Sequence, residues 1–182
     1  MDCHNSGATL TQTNPTGDSL FYLPENSTLQ NCNIGNLHIA PAGPHPDNVR
    51  ILNNNFSTTA TSTIRFYYGA HDFLIEGNTN INGFSIGSVA ANTSGIIRNN
   101  TFYFHNIGNN DLFSIEAGAE VDHLVVASNT FESHVTTDVS PFLIFITGDS
   151  TSFVTNTVRF LATPHSNLRY ALIMQGTGAN VF

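Results

Sequence analysis

The sequence predicts an all-β fold, a solenoid of about six to seven stacked parallel coils with repeats of 22–29 residues. Three observations predict it. One short phrase, apolar-x-x-Asn-x-apolar, returns along the whole chain. A second short stretch of period-2 alternation accompanies each copy, and no stretch carries the 3.6-residue period of an amphipathic helix of useful length.

The phrase appears as "LQNCNI" (29–34), "ILNNNF" (51–56), "IEGNTN" (75–80), "IIRNNTF" (96–102), "VVASNTF" (125–131) and "FVTNTV" (153–158). Its anchor column reads Cys32, Asn54, Asn78, Asn100, Asn129 and Asn156, at spacings of 22, 24, 22, 29 and 27. Three places earlier stand Leu29, Ile51, Ile75, Ile97, Val126 and Phe153. Two places later stand Ile34, Phe56, Asn80, Phe102, Phe131 and Val158. The accompanying strands are Leu37/Ile39, Ile64/Phe66/Tyr68, Phe84/Ile86, Phe113/Ile115, Phe142/Ile144/Ile146 and Tyr170/Leu172/Met174. Alternation sends one face inward and one outward. Turn residues such as "GAHD", "AGAEVD" and "QGTGAN" fill the gaps.

Strands this short gain their hydrogen bonds by stacking each coil on the next, about 4.8 Å away. The Asn column is expected to form a ladder, each amide donating to one coil and accepting from the next. Asn also tolerates the left-handed conformation of a sharp bend, so the column is expected to supply the bend residues.

The Ile-x-x-Asn-x-Phe rhythm of "ILNNNF", "IIRNNTF" and "VVASNTF" resembles the right-handed parallel β-helix superfamily, the pectin-lyase-like solenoids, over about residues 18–182. The resemblance implies a single-stranded right-handed coil. It leaves function open, since that superfamily includes polysaccharide lyases, glycoside hydrolases, tailspikes and autotransporter passengers.

Residues 1–17 fit no coil and are expected to cap the solenoid at 18–182. Cys32 stands where later coils carry Asn; a Cys3–Cys32 disulfide would pin the cap, and two separate buried thiols are the other reading. The terminal "ANVF" matches the start of a coil, so the expectation is a fragment of a longer solenoid.

Charge narrows the partners. Five Lys+Arg, all of them Arg, face thirteen Asp+Glu, for a net charge of -8. Without grouped cations, neither nucleic acid nor an anionic membrane surface is expected as a partner, and no apolar run reaches the roughly 20 residues of a membrane helix. No signal peptide is visible. A Lys-free chain rich in Asn, Thr and Ser fits an extracellular, cell-surface or virion-surface location.

Candidate site residues come from the outward columns. Asp72, Glu76, Arg98, His71 and His123 are expected on one side of the rod, with Glu76 and Arg98 on adjacent coils within reach of a salt bridge. Asp72 and Glu76 would be the carboxylate pair of a glycoside hydrolase or polysaccharide lyase. The plainer reading makes Asp72 a turn residue and Glu76–Arg98 a surface ion pair. Tyr67, Tyr103, His105 and Asn106 are candidate sugar contacts, beside the loops "SVAANTSG", "YFHNIGNND" and "ESHVTTDVS". The eight histidines lack metal-ligand spacing, so no metal and no cofactor are expected. An apolar outward stripe of Leu52, Leu74, Ile96, Val125 and Val154 is a candidate homo-oligomer contact. The four N-x-S/T sequons, at Asn26, Asn55, Asn92 and Asn99, are expected by chance in such a composition. The leading expectation is a non-catalytic rod for adhesion or glycan binding. A carbohydrate-active enzyme is the alternative, and a purely structural spacer the second.

Overall fold

A computed structural model describes residues 1–3, 9–11, 20–43, 46–58, 62–87, 93–105, 113–116, 121–134, 142–147, 151–161, 170–175 and 180–181. The chain opens with β1 (Thr9–Thr11) and β2 (Leu20–Leu23). The next turn contributes β3 (Thr28–Gln30), β4 (Asn33–Gly35) and β5 (His38–Pro41). It is followed by β6 (Arg50–Leu52), β7 (Asn55–Phe56) and β8 (Thr63–Phe66). A turn with two strands, β9 (Phe73–Glu76) and β10 (Gly83–Ile86), comes next. Then come β11 (Thr93–Arg98), β12 (Thr101–Phe104) and β13 (Phe113–Glu116). The turn after that holds β14 (Val121–Ala127), β15 (Thr130–Ser133) and β16 (Phe142–Thr147). The last strands are β17 (Thr151–Val154), β18 (Thr157–Phe160), β19 (Tyr170–Gln175) and β20 (Asn180–Val181). No helix occurs among the described residues.

All pairings between these strands are parallel and join each turn to the next, which makes the fold a β-solenoid. Two faces are seven-stranded sheets, β3-β6-β9-β11-β14-β17-β20 and β2-β5-β8-β10-β13-β16-β19. A third face, not foreseen from the sequence, follows each anchor. It is split into β1-β4-β7 and β12-β15-β18. The column two places after the anchor therefore belongs to a separate strand rather than to the end of the anchor strand.

The split has a local cause. Thr79 pairs with Asn55 but Ile81 pairs with Phe102, so Asn80 is an extra residue, left-handed at φ 58. Ile81 takes the inward place and is fully buried. Asn80, expected inward, instead donates from Nδ2 to Asn55 Oδ1 at 2.9 Å.

The core is built from stacked like residues. Leu29, Ile51, Ile75, Ile97, Val126 and Phe153 are buried in one column. In the third-face column, Phe102 stacks on Phe131 with ring centroids 4.8 Å apart and planes 9° apart. Such a column buries each ring between two neighbours and excludes water along the rod.

Asn54, Asn78, Asn100 and Asn129 are buried, and their amides form a continuous ladder. Each Oδ1 accepts from the preceding rung: Asn54 N–H and Nδ2 donate to Asn78 Oδ1 at 2.9 and 3.0 Å, and Asn78 does the same to Asn100. Asn100 donates to Asn129, and Asn129 to Asn156. Each Nδ2 also reaches back to a carbonyl of the previous coil, as from Asn100 to Ile75 O at 3.0 Å.

The bends, however, lie one place before the ladder. Asn31, Asn53, Gly77, Asn99, Ser128 and Thr155 all have positive φ, while the ladder residues do not. The expectation that the ladder Asn is itself the bend residue is thus corrected. The left-handed residue turns the chain, and the next amide is thereby aimed along the rod.

Within residues 1–17, Asp2 bridges in parallel to Gln30 and β1 pairs with β4, so the described parts continue the solenoid as a terminal rung. Cys3 and Cys32 form a disulfide with Cα atoms 4.9 Å apart. Cys32 N–H still donates to Asn54 Oδ1 at 3.0 Å, so Cys32 closes the ladder without contributing an amide.

Candidate functional site

The face of β3, β6, β9, β11, β14 and β17 carries the outward columns. Pairing puts Arg50, Leu74, Ile96, Val125 and Ser152 in one register row. Leu52, Glu76, Arg98, Ala127 and Val154 form the parallel row. Side chains in each row repeat at the strand spacing of about 4.8 Å, and the two rows stand about 6.6 Å apart along the strands.

A groove of about 380 Å³ lies on this face. Leu74, Ile96 and Val125 line its apolar floor. Asp72, Ser94 and His123 stand on one side, with Arg50 and Arg98 also in its lining. Ile96 is the most open of the floor residues, at 37% exposure. Beneath it, Gly95 allows the Phe73 ring to pack against β11. A Cβ at residue 95 would lie 2.6 Å from ring carbons of Phe73.

Local backbone geometry explains two of the site residues. Asp72 (φ 50) and His123 (φ 60) occupy the same bend column as Asn26 and Asn48, which are also left-handed. His123 is part of an irregularity: Thr93 pairs with Val121 but Gly95 with Leu124, so β14 holds one extra residue. Asp72 N–H donates to Ser94 Oγ at 3.1 Å, bracing this side of the groove.

Arg98 Nη2 donates to Glu76 Oε2 at 2.9 Å. That hydrogen bond, opposed by partial desolvation and helped by the guanidinium charge and by Asn99, holds the Glu76 carboxyl below its ordinary 4.5. The same bond raises Arg98. Asp72 is the bend residue just before β9 and Glu76 is the last residue of that strand, so the intervening strand holds their Cα atoms on the order of 10 Å or more apart. Glycosidase carboxyl pairs are about 5–9.5 Å apart. Glu76 leans across to Arg98 instead of along the strand toward Asp72.

His71 Nδ1 lies 3.0 Å from Asp47 Oδ1 on the neighbouring coil, beyond the groove's lining. Tyr103 and His105 are on the third face, away from Asp72 and Arg98. There Tyr103 stacks on His134 with centroids 4.0 Å apart, and His105 is 5.8 Å from Tyr103. Glu132 lies between His134, at 3.7 Å, and Arg159, at 3.4 Å. Tyr67 is exposed just past the end of β8. Asn106 lies outside the described residues, as do most of the three loops expected to carry recognition.

The structure therefore brings together Asp72, Arg98 and His123, places Glu76 beside them, and separates His71, Tyr103 and His105. Arg50 is the charged groove residue that sequence reasoning passed over, and Ser94 is a second polar one. The signal for Arg50 was available, since it shares the register row of Leu74 and Ile96. Among the described residues, neither the Arg50 guanidinium nor the Asp72 carboxylate has a hydrogen bond or ion pair. No protein-family model, curated protein or solved structure matches the chain.

Proposed function

We propose that this chain is an extracellular or virion-surface rod of the pectin-lyase-like kind that binds a glycan without cleaving it. One observation carries the reading: the groove on the β6-β9-β11-β14 face combines an apolar floor with polar groups on its margin. The apolar face of a pyranose fits over Leu74, Ile96 and Val125, and its hydroxyls meet Asp72, Ser94, His123 and the Glu76–Arg98 pair. Sites of this composition, mostly apolar with a few placed polar groups, suit small ligands. The Cys3–Cys32 disulfide fits an oxidising compartment.

Absence of cleavage rests on the spread of Asp72 and Glu76 along β9 and on Glu76 being kept ionised by Arg98, which unfits it as a proton donor. Self-association through the same stripe is disfavoured by size. Five rungs by two rows cover on the order of 250 Å² per copy, against roughly 800 Å² per partner in a stable interface.

A glycan array with a depolymerisation readout on the same ligands tests this reading. Binding with unchanged ligand length is expected. Shortened ligands would return the enzyme reading, and no binding on any glycan would favour a structural spacer.

A further inference from the structure

Arg50 and Asp72 are two oppositely charged groups lining one groove, and among the described residues neither side chain has a hydrogen-bond or ion-pair partner. They sit on neighbouring strands, one strand spacing and about two residues apart, on the order of 8 Å between Cα atoms. Arg50 is half-buried beside the aliphatic floor. A guanidinium in that setting has lost part of its hydration without gaining a partner, so an incoming anion restores what burial removed. A purely anionic ligand would, however, meet the Asp72 carboxylate, and a purely cationic one would meet Arg50. Arg98, the other guanidinium in the groove's lining, is already paired with Glu76 beside it.

We propose that the groove takes a zwitterionic glycan, one bearing a free amino group and a carboxylate on neighbouring sugars. Arg50 receives the carboxylate through its N–H donors, and Asp72 accepts from the ammonium. The proposal rests on the glycan reading of the groove and adds the chemical class of the ligand. Both contacts are charge-assisted hydrogen bonds. That of half-buried Arg50, at the edge of the apolar floor, is strengthened further by partial exclusion of water, while Asp72 is exposed. The spacing of the two charges favours ligands in which amine and carboxylate are on adjacent residues of the chain.

The test is calorimetric titration with three oligosaccharides of equal length. One alternates 2-amino-2-deoxyhexose with hexuronic acid, the second is its N-acetylated form, and the third is its carboxyl-reduced form. The protein is expected to bind the first at least about tenfold more tightly than the other two, as the loss of one charge-assisted contact implies. Asp72→Asn is expected to abolish discrimination against the N-acetylated form and to keep discrimination against the reduced one. Arg50→Gln is expected to do the reverse. Asp72→Asn suits the left-handed bend, since Asn26 and Asn48 hold the same position in earlier coils. Unchanged melting curves check that both variants fold. Equal binding of all three sugars would overturn the zwitterion assignment and leave the glycan reading standing. Equal weakening of all three by Asp72→Asn would also overturn the assignment. Binding to none of them, together with none on a neutral glycan array, would remove the glycan reading as well.

Discussion

In the middle of the ladder, Asn100 Oδ1 accepts from the N–H and Nδ2 of Asn78, while its own Nδ2 donates to Asn129, Ile75 and Arg98. Asn100→Ala leaves buried donors on Asn78 and buried acceptors on neighbouring coils without partners. At about 1–3 kcal/mol for each stranded group, the expected loss is roughly 3–5 kcal/mol of unfolding free energy by denaturant titration. Asn156→Ala, at the half-buried last rung, is expected to cost clearly less. Equal costs would show that the ladder does not act through buried polar pairing. Arg98→Gln makes a second residue-level prediction. Because the Arg98 hydrogen bond lowers Glu76, the substitution returns the Glu76 carboxyl toward 4.5 in a carbon-detected NMR titration. The sign follows from the lowered value. The pair's small contribution to stability is complete above the ordinary carboxylate range and is lost as pH falls through the lowered value. The pair is exposed, so the melting temperature at neutral pH hardly moves. At this scale the inward columns and the Asn ladder were legible, because core positions repeat a residue type. The bend was misplaced because "NN" at 53–54 and 99–100 offers two Asn for one left-handed position. Gly77, Ser128 and Thr155, which precede the ladder Asn elsewhere, were the telling residues.

Strand β11 depends on what Gly95 lacks. With ring carbons of Phe73 2.6 Å from where a Cβ would stand, Gly95→Val forces the ring or the strand to move. Overpacking of this kind costs about 1–3 kcal/mol. Pairing it with Phe73→Leu is expected to recover part of the loss, which a double-mutant cycle by thermal or denaturant unfolding measures. Additive costs would show that residue 95 does not press on Phe73. At the scale of elements, the two long sheets were legible from period-2 alternation. The third face was not, because its strands are short and begin directly after the ladder residue. β7 holds only two residues, Asn55 and Phe56, too few to alternate. Asn80 further obscured it, since the true inward residue of that rung, Ile81, is displaced by one. The groove suffered the same way. Its members lie 22–29 residues apart in sequence and meet only once the register is counted rung by rung.

Over the whole molecule, stability of a stacked rod is a sum of rungs and the contacts between them, so the ends decide where fraying begins. Met1–Cys3 runs along β3, with Gln30 N–H donating to Met1 O at 3.0 Å and Cys3 N–H to Gln30 O at 3.1 Å. The disulfide ties this rung across a sequence separation of 29. A loop of that length implies about 3–4 kcal/mol of stabilisation. Cys3→Ser is therefore expected to lower stability by that order. It is also expected to raise amide exchange first at β3 and β1, as followed by hydrogen exchange. Uniform exchange along the rod would contradict a local role for the bridge. The groove lies farther along the rod, on β6, β9, β11 and β14, so ligand binding should survive the loss of the bridge.

The most direct measurement is methyl NMR of the labelled protein during titration with a glycan that binds on the array. Shifts concentrated at Leu74, Ile96 and Val125, with the ligand unchanged in length, are the predicted result. Shifts confined to the third face around Tyr103 and His105, or progressive shortening of the ligand, would contradict a non-catalytic glycan groove on the β6-β9-β11-β14 face.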